Sequence, residues 1–567
     1  MGRRSIAPIF SPVPRNDESG RTVFRWLLAA CAAANIAPLY LAEHLPFSDL
    51  PEHVAAISTV RHYWDPAWGL QKYFVLQGLT RTPYFLYDVV AALLSVPFGS
   101  AERANLFILS LVGLGFPYSL RELLRATHRD ERLAFFACPL FWSRALGEGL
   151  LNYVASLPVG IWGLALVARQ CEGPTRRRAW LLAGVSLAIF YLHVSTFVFF
   201  ALGAVILFLF LPVGGPATTR AGELRERALR VPRQLVWLVP TVAAAGLLLL
   251  SSPLVHPNPT REGIHAGVVR FSSTMYLVRS LPGWMHDFWR SNIDDVAGVI
   301  AWGLLGVLFL RRARAPESPS PADRAALVLG FFPLVLYFVT PNQVSFAFIL
   351  DLRLAPLVGV LAPLVVRVRR DRVSDVAIAG MAAVAFVVGA HSAWQTHRFE
   401  REEAASFDRV MVNLPRGKKL VTLVFDRESR RANITPFIHF GSYYSARYGG
   451  VSSFSFAEVP HWPIQYRPGF EPPKKEIVFW DWNPCLFRNT IDGRYYDFVL
   501  TRGEENPFSD EPPGPIWQTI GISQEWTLFA KTGAERVTAG NEPDRGPCKG
   551  LRDARETSLA ARARSAD

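Results

Sequence analysis

Apolar residues in this 567-residue chain are gathered into long runs that short polar segments separate. A helix of roughly 20 apolar residues is long enough to cross the hydrocarbon core of a bilayer. The pattern therefore predicts an α-helical polytopic membrane protein with about eleven transmembrane helices. The predicted spans are residues 22–42, 102–122, 133–148, 150–169, 179–192, 194–212, 234–254, 293–311, 325–340, 343–366 and 373–392.

One further apolar run, residues 84–98, is predicted not to cross the membrane. It contains Asp88 and is shorter than a full crossing requires. Arg and Lys prefer cytoplasmic loops, and the basic clusters between the other spans alternate correctly only if this run stays on one side. We therefore place it as a helix in or on the outer leaflet.

Charge orients the predicted spans. The chain has 60 Lys and Arg against 47 Asp and Glu, and most of the excess lies in short loops between spans. Membrane orientation therefore explains the net charge of +13 better than nucleic-acid binding does. Residues 1–21 are then cytoplasmic and the C-terminus lies outside, in a bacterial inner (plasma) membrane. The long loops 43–101 and 255–292 also face outwards.

The composition changes after the last span, where residues 395–550 predict a soluble extracytoplasmic α/β domain. It begins with a charged helix at about 397–412, and a tail at 551–567 is predicted to be disordered. His439 and Tyr443 are interpreted as core residues of this domain rather than as sugar-stacking residues. The predicted strands are Lys419–Phe425, Glu476–Trp480, Tyr496–Thr501 and Trp526–Lys531.

The segment Phe47–Trp64 follows the first span and is rich in side chains that can take part in chemistry. Pro51 suits the first turn of a helix, where its missing N–H costs nothing. Asp49 comes just before this helix, near the positive end of its dipole, where an ionised carboxylate is favoured. The alternative is that Asp49 is an ordinary helix cap. Apolar residues recur at helical spacing, at Val54, Ile57, Val60 and Trp64, and predict an amphipathic helix on the bilayer surface.

Several common catalytic motifs are missing from the sequence. It has no phosphate-binding Gly-rich loop with a Walker lysine, no dinucleotide fingerprint and no Gly-x-Ser-x-Gly elbow. No His/Cys group has zinc spacing, so the motifs predict no metal site. The carboxylates at the outer membrane boundary remain as the candidates for chemistry.

Short motifs in the sequence resemble those of the GT-C superfamily of polytopic membrane glycosyltransferases. The first span is followed by an outer loop with an early acid, Asp49, and a second helix of that loop resembles residues 82–99. Glu102–Asn105 leads into the next span in a similar way, and Asp351–Leu357 resembles the Arg-aromatic-x-x-Pro run of a late span. The resemblance covers most of residues 20–395.

The resemblance implies a mannosyl- or arabinosyltransferase-like enzyme. It would move a sugar from a polyprenyl-phosphate donor to a lipid, glycan or protein acceptor on the outer face. Asp49 would be the general base of an inverting transfer, with Glu52 as a second catalytic candidate. Arg353 would bind the donor phosphate. Further candidates for substrate binding are His53, Arg270 and Arg279.

Two departures from the family pattern matter. The loop has a single Asp where many relatives carry paired acids, and an oxygen-ligand cation usually needs more than one carboxylate. The sequence therefore leaves two alternatives, no cofactor or a divalent cation. Leu354 stands where relatives often have an aromatic residue. Arg353 also has Asp351 nearby as an alternative, purely structural partner.

The competing class is a non-catalytic polytopic protein, such as a transporter, flippase or scaffold for surface polysaccharide assembly. A transporter places ionisable residues near the bilayer midplane. Here the polar residues crowd one membrane boundary, which favours catalysis at the interface.

Five cysteines are too few for a disulfide scaffold. Cys485 and Cys548 lie on the predicted outer side, where an oxidising compartment would let them pair. Cys31, Cys138 and Cys171 are predicted to be free.

Overall fold

The computed structural model describes residues 18–211, 235–251, 268–311 and 320–536, apart from gaps at 346, 413, 460–461, 474–479, 481, 504–505 and 509–512. Within these ranges the chain is mainly helical, as the apolar runs predict. The helices are α1 (Glu18–Ile36), α2 (Leu50–His62), α3 (Leu86–Phe98), α4 (Ala101–Ala126), α5 (Arg144–Gly147), α6 (Leu151–Glu172), α7 (Arg176–Leu192), α8 (Val194–Phe210), α9 (Val239–Ser251), α10 (Thr274–His286), α11 (Asn292–Leu310), α12 (Pro321–Val339), α13 (Ala355–Leu361), α14 (Arg372–Phe399), α15 (Ser406–Met411), α16 (Ser442–Tyr448) and α17 (Asp492–Tyr495).

Six helical stretches of the described ranges are long and apolar enough to cross a membrane. They are Gly20–Tyr40, Ala101–Ala126, Leu151–Glu172, Asn292–Leu310, Pro321–Val339 and Arg372–Met411. Four shorter apolar helices accompany them, at Leu86–Phe98, Val194–Phe210, Val236–Ser251 and Leu352–Val365. The chain is thus an integral membrane protein, while the number of about eleven crossings stays a prediction.

The predicted span 133–148 is not one α-helix. Residues Glu131–Ala137 and Pro139–Trp142 form 3₁₀-helices, and the short α5 follows them. Pro139 has no N–H to donate, which breaks an α-helical ladder at this point. A 3₁₀-helix rises about 2 Å per residue, so roughly sixteen residues can still extend about 30 Å, the thickness of the hydrocarbon core.

The two ends of this irregular segment lie at opposite ends of the helical bundle. Before it, the Arg129 guanidinium donates to the Leu364 carbonyl at 2.8 Å and to Asp323 at 2.6 Å. After it, the Gly147 carbonyl accepts a hydrogen bond of 2.8 Å from the Ser48 amide, just before α2. The segment therefore runs the length of the bundle without a regular helix.

One end of the bundle is held by arginine–carboxylate pairs. Asp323 caps the beginning of α12 and accepts from both Arg129 and Arg367. Asp371 and Asp375, at the beginning of α14, pair with arginines from the end of α11 and from the loop after α4. Arginines of three basic clusters, those at 121–132, 311 and 367–372, therefore meet at this end in the described part of the chain.

The opposite end carries α2, α3 and the C-terminal region. The expectation that α2 lies exposed on a bilayer surface is wrong, because its residues Leu50–Thr59 are buried all round. Val54 and Ile57 pack into the core of the bundle. The Ser58 hydroxyl donates to the Ala446 carbonyl at 2.6 Å, so the C-terminal region covers the polar face of the helix. Of the four apolar residues at helical spacing, only Trp64, beyond the end of α2, is largely exposed.

The C-terminal region is built on a five-stranded sheet. Its parallel part is β5–β4–β7, and β9 and β8 extend it antiparallel on the side of β7. The predicted strands at 419–425, 496–501 and 526–531 are confirmed, whereas 514–523 was missed and most of the predicted strand 476–480 lies outside the described residues. The strands are β1 (Phe74–Leu76), β2 (Val269–Arg270), β3 (Gln343–Val344), β4 (Lys419–Val424), β5 (Val451–Ser452), β6 (Ile464–Tyr466), β7 (Phe498–Arg502), β8 (Gly514–Ser523) and β9 (Trp526–Arg536).

Several contacts fasten the C-terminal region to the bundle. β6 pairs antiparallel with β1 of the loop between α2 and α3. Arg447 of α16 pairs with Glu102 at the beginning of α4 at 3.1 Å and with Asp408 of α15 at 2.5 Å. Trp289, before α11, forms a β-bridge with Ala432. The region is thus packed against the same end of the bundle that holds α2.

The cysteines follow the prediction as far as the described residues reach. Cys31, Cys138 and Cys171 are free and buried. Cys548 lies outside the described residues, as do residues 1–17 and 551–567, so the Cys485–Cys548 disulfide and the two terminal assignments stay predictions.

Candidate active site

Asp49 occupies the N-cap position of α2, but its side chain does not cap the helix. The backbone carbonyl of Asp49 instead accepts from the amides of Glu52 and His53, both at 3.1 Å. Pro51 has no amide that would need an acceptor at this end. The carboxylate is therefore available to groups outside its own helix.

A close backbone contact fixes the position of Asp49. Gly149 has φ +82°, and a Cβ at this position would lie 2.4 Å from the Asp49 nitrogen. Only glycine satisfies both the left-handed backbone and the lack of space. Nε2 of His53 lies 3.1 Å from the Gly149 carbonyl oxygen, which ties the same loop to the first turn of α2.

The surroundings of Asp49 shift its ionisation towards neutral pH. The side chain is 28% exposed, yet it lies in a cleft between α2, the Gly149 loop and the C-terminal region. This burial, with a contribution from the nearby Glu148 carboxylate, raises the pKa of Asp49 to about 7, while the Arg353 charge opposes the rise. Burial thus acts against the helix dipole, which by itself favours the ionised form.

Arg353 lies on the 3₁₀-turn Leu352–Leu354 that precedes α13. Its Nη1 lies 3.3 Å from Nε2 of His193, and its carbonyl accepts from the Tyr153 hydroxyl. In the described part of the chain no carboxylate lies within ion-pair distance of the guanidinium, and its buried Nε has no hydrogen-bond partner. Such a group is expected to bind an anion.

Asp351 is not the structural partner of Arg353 that its position in the sequence suggests. Its Oδ1 accepts from Asn342 Nδ2 at 2.9 Å and from its own helix turn, at the Leu352 amide, at 2.7 Å. Both bonds fix the turn that carries Arg353. Asp351 therefore shapes the backbone and does not pair with the guanidinium.

Aromatic rings surround the Arg353 guanidinium. The His193 ring, at the turn between α7 and α8, contacts Tyr84 and Tyr153, each at a centroid distance of 5.1 Å. Tyr84 in turn stacks on Trp462 of the C-terminal region. We did not predict His193 or Tyr153 as site residues, because sequence spacing gives no sign that α6, α7 and residue 353 converge.

Glu52, the second predicted acid, is held by the C-terminal region. It is 1% exposed and accepts from the Ser442 hydroxyl and from the Phe456 amide, the latter at 2.9 Å. Burial raises the pKa of Glu52 to about 8, against the effect of these two bonds. The geometry gives Glu52 the role of joining α2 to the C-terminal region.

The three other predicted binding residues lie away from Asp49 and Arg353 or are enclosed. His53 is buried between the Gly149 carbonyl and Asp88, whose Oδ1 is 3.9 Å from Nδ1. Arg270 on β2 and Arg279 on α10 are exposed and make no polar contact with Asp49 or Arg353. His53 therefore has a supporting role through its contacts with Gly149 and Asp88. A substrate role for the two arginines stays a prediction.

His439 is a site residue that we did not predict. Its Nε2 lies 3.5 Å from the Asp49 Oδ1. It belongs to the 3₁₀-turn Pro436–His439 of the C-terminal region, in a segment that we had interpreted only as an aromatic core. The C-terminal region therefore contributes a side chain to the Asp49 cleft.

An apolar cavity of about 600 Å³ lies beside the site, between α3, α4, α6 and α7. It reaches from Leu192, the neighbour of His193, along α4 to Glu122 near the opposite end of the bundle. Its walls include Leu86, Val90, Ile108, Leu111, Pro158, Trp162 and Ala188. Nearly all of this lining is hydrocarbon, so the cavity suits a long apolar chain.

Cation ligands are sparse near Asp49. Among the residues that the structure describes, no group of three or more His, Cys, Asp or Glu side chains is arranged to hold a metal ion. Asp49 and Glu148 are neighbouring carboxylates, but Glu148 is engaged with Arg144 at 3.0 Å. We therefore assign no step of the chemistry to a cation.

No protein-family profile and no curated protein matches the sequence. The fold, in contrast, is similar to that of ArnT from Cupriavidus metallidurans. The structure of ArnT bound to undecaprenyl phosphate has a TM-score of 0.53 and 13% identity, with 93% of this chain and 100% of that chain covered. The apo structure of ArnT gives 0.52 and 13%, covering 90% and 98%.

The arabinofuranosyltransferase AftD from Mycobacteria is also similar, at a TM-score of 0.45 and 13% identity, over 92% of this chain and 40% of that chain. ArnT is aligned over its full length and at the higher TM-score. At this identity the likeness concerns the fold and not the substrates. The chain shares its fold with ArnT, in agreement with the GT-C fold that the resemblance in its sequence predicts.

Proposed function

We propose that this protein is a membrane glycosyltransferase that moves a sugar from a polyprenyl-phosphate donor to a lipid, glycan or protein acceptor on the extracytoplasmic face. The observation that carries the proposal is the environment of the Arg353 guanidinium. The guanidinium is partly buried, faces Asp49 and lacks a carboxylate ion-pair partner in the described ranges. It contacts His193, and an apolar cavity begins at Leu192, the neighbour of His193 in the chain.

Both halves of the donor find a complementary surface. A phosphate at Arg353 would supply the negative charge that the guanidinium lacks, with the planar fork of donors suited to phosphate oxygens. The polyprenyl chain would lie in the cavity that begins at Leu192. The undecaprenyl phosphate in the ArnT structure is a ligand of this chemical class.

In the proposed reaction Asp49 acts as the general base. The acceptor hydroxyl oxygen attacks the anomeric carbon, and its proton passes to the Asp49 carboxylate. The bond between the anomeric carbon and the phosphate oxygen breaks, and its electron pair remains on the polyprenyl phosphate. Arg353 stabilises the charge that develops there. Attack from the face opposite the phosphate inverts the anomeric configuration.

We also propose the sidedness of the reaction. The site lies at the end of the bundle that is opposite the arginine-rich end, and the positive-inside rule makes the arginine-rich end cytoplasmic. With the irregular segment 131–149 counted, about eleven crossings then place the N-terminus inside and the C-terminal region outside, in a bacterial inner membrane. α3 would lie at the outer leaflet without crossing.

Replacing Asp49 tests the base. Asp49→Asn keeps the shape and removes the proton acceptor, so sugar transfer should fall by on the order of 10²-fold or more. Because the base must be ionised, and the pKa of Asp49 is raised to about 7, wild-type kcat/KM should decline as the pH falls below about 7. Sugar transfer from labelled polyprenyl-phosphate donors in membranes measures both the loss in Asp49→Asn and the pH dependence of the wild type.

Glu52→Gln is the matched comparison for Asp49→Asn. It also exchanges a carboxylate for an amide of the same shape, three residues along α2. If Glu52→Gln abolishes transfer with unchanged thermal stability while Asp49→Asn does not, Glu52 is the base. If neither change affects transfer, the enzymatic interpretation of this loop is wrong.

Replacing Arg353 tests the phosphate site without knowledge of the sugar. Arg353→Lys keeps the charge but loses the fork, and the affinity for undecaprenyl phosphate should fall about 10- to 100-fold with little change in thermal stability. Arg103→Lys, exposed at the same end of the bundle, is the control. Equal affinities for wild type and Arg353→Lys would remove Arg353 from the donor site.

Filling the cavity tests the site of the polyprenyl chain. Ala188→Trp should obstruct the cavity wall and weaken binding of a long polyprenyl phosphate by on the order of 10-fold, with little effect on a short-chain analogue. Ala243→Trp on α9, exposed and outside the cavity, is the control. An unchanged preference for the long chain in a well-folded Ala188→Trp protein would place the chain elsewhere.

Accessibility of engineered cysteines tests the sidedness. In spheroplasts, a membrane-impermeant maleimide should label Glu428→Cys, whose side chain is 64% exposed, and should label Arg125→Cys, 51% exposed, only after permeabilisation. The parent chain gives the background labelling. Labelling of Arg125→Cys in intact spheroplasts would show the proposed orientation to be wrong.

A further inference from the structure

We propose that His439 is a positioning residue for Asp49, so that the C-terminal region takes part directly in the reaction. The inference rests on the proposed function, in which Asp49 is the general base. It goes beyond that function because it assigns a role in transfer to a residue outside the transmembrane bundle.

The geometry directs the His439 ring at the carboxylate. Nε2 of His439 is 3.5 Å from Oδ1 of Asp49, and the ring is 6% exposed. Phe454 stacks on the ring at a centroid distance of 4.2 Å and an interplanar angle of 20°, which holds the ring plane. Catalytic hydrogen bonds are often long in ligand-free sites and shorten when substrate binds.

The turn that carries His439 is fixed on several sides. Phe437 and Phe440, on either side of His439, are buried in the core of the C-terminal region. Asn433, upstream in the chain, donates to Asp287 at 2.7 Å and ties the segment to the loop before α11. Downstream, Ser442 donates to Glu52 of α2. The ring is therefore placed against Asp49 by rigid neighbours from both parts of the molecule.

A donor on one carboxylate oxygen has a definite consequence for a base. With His439 on Oδ1, the other oxygen of Asp49 is left to accept the proton of the acceptor hydroxyl, and the carboxylate plane is held. A hydrogen-bond donor also favours the ionised form of a carboxylate. Among the described residues, the other charged groups that act on Asp49 or lie beside it are Glu148, Arg353 and Glu52.

Three variants of His439 test the role. His439→Phe keeps a ring against Phe454 but has no N–H, and kcat should fall about 10- to 100-fold while the donor KM stays within about twofold. The acid limb of the pH profile should move to higher pH, because the ionised form of Asp49 loses a favourable neighbour. His439→Gln, which offers an amide donor, should recover part of kcat. His397→Phe, exposed on α14, is the surface control.

A double variant separates positioning from simple loss of packing. If His439 acts through Asp49, then adding His439→Phe to Asp49→Asn should cost little beyond the Asp49→Asn loss, because the two residues form one unit. Additive losses would overturn the proposal, as would wild-type kcat and pH profile for His439→Phe. Equal damage in the Phe and Gln variants, with a lowered thermal stability in both, would also overturn it.

The outcomes remain separable from a failure of the proposed function. If Asp49→Asn transfers sugar at the wild-type rate, the general-base assignment itself fails, whatever the His439 variants do. If Asp49→Asn is inactive and His439→Phe is normal, only the role of His439 fails.

Discussion

The contact between Gly149 and the backbone of Asp49 is the constraint on which the geometry of the site depends. A side chain at position 149 would overlap the Asp49 nitrogen, so the loop that ends the irregular segment 131–149 can approach α2 only as glycine. The same loop holds His53 through its carbonyl and carries Glu148, which raises the pKa of Asp49. One close approach therefore sets the position of the carboxylate and part of its electrostatic environment.

The cost of burying charge explains why the residues around Arg353 serve binding better than stability. An ion partly removed from water costs several kcal/mol unless a counter-charge and hydrogen bonds compensate. Asp351 could have supplied that charge, but it is engaged with Asn342 and with its own turn. His193, Tyr84 and Tyr153 provide a polarisable wall and no anion. A bound phosphate would supply the charge and the hydrogen-bond acceptors that the Arg353 guanidinium lacks. This pairing would favour binding of a donor that carries a phosphate.

The sequence predicted the features that depend on local pattern and missed those that depend on contacts between residues far apart in the chain. Apolar run length identified the long helices such as α4 and α14, and β-branched runs identified β4 and β7. The span at 133–148 was wrongly expected to be α-helical, because apolar composition does not distinguish α from 3₁₀ geometry. The prediction that α2 lies on the bilayer surface was wrong, because the spacing of its apolar residues cannot show that α16 covers its polar face. Asp49 and Arg353 came from the family resemblance, whereas His439 and His193 required the fold.

The C-terminal region is attached in a way that fits participation in the site. A domain needed only for solubility could be joined by a flexible linker, yet here Glu52, Arg447 and the β1–β6 pair fix it on three separate elements. Glu52 forms one of these contacts, although it lies only one helical turn from Asp49. Placing one acid of the pair in a structural bond and the other in an open cleft separates their roles by environment alone. His439 contacts Asp49, and three residues further along each segment Ser442 contacts Glu52. Both contacts belong to one interface, so the bundle and the C-terminal region together determine the position of the base.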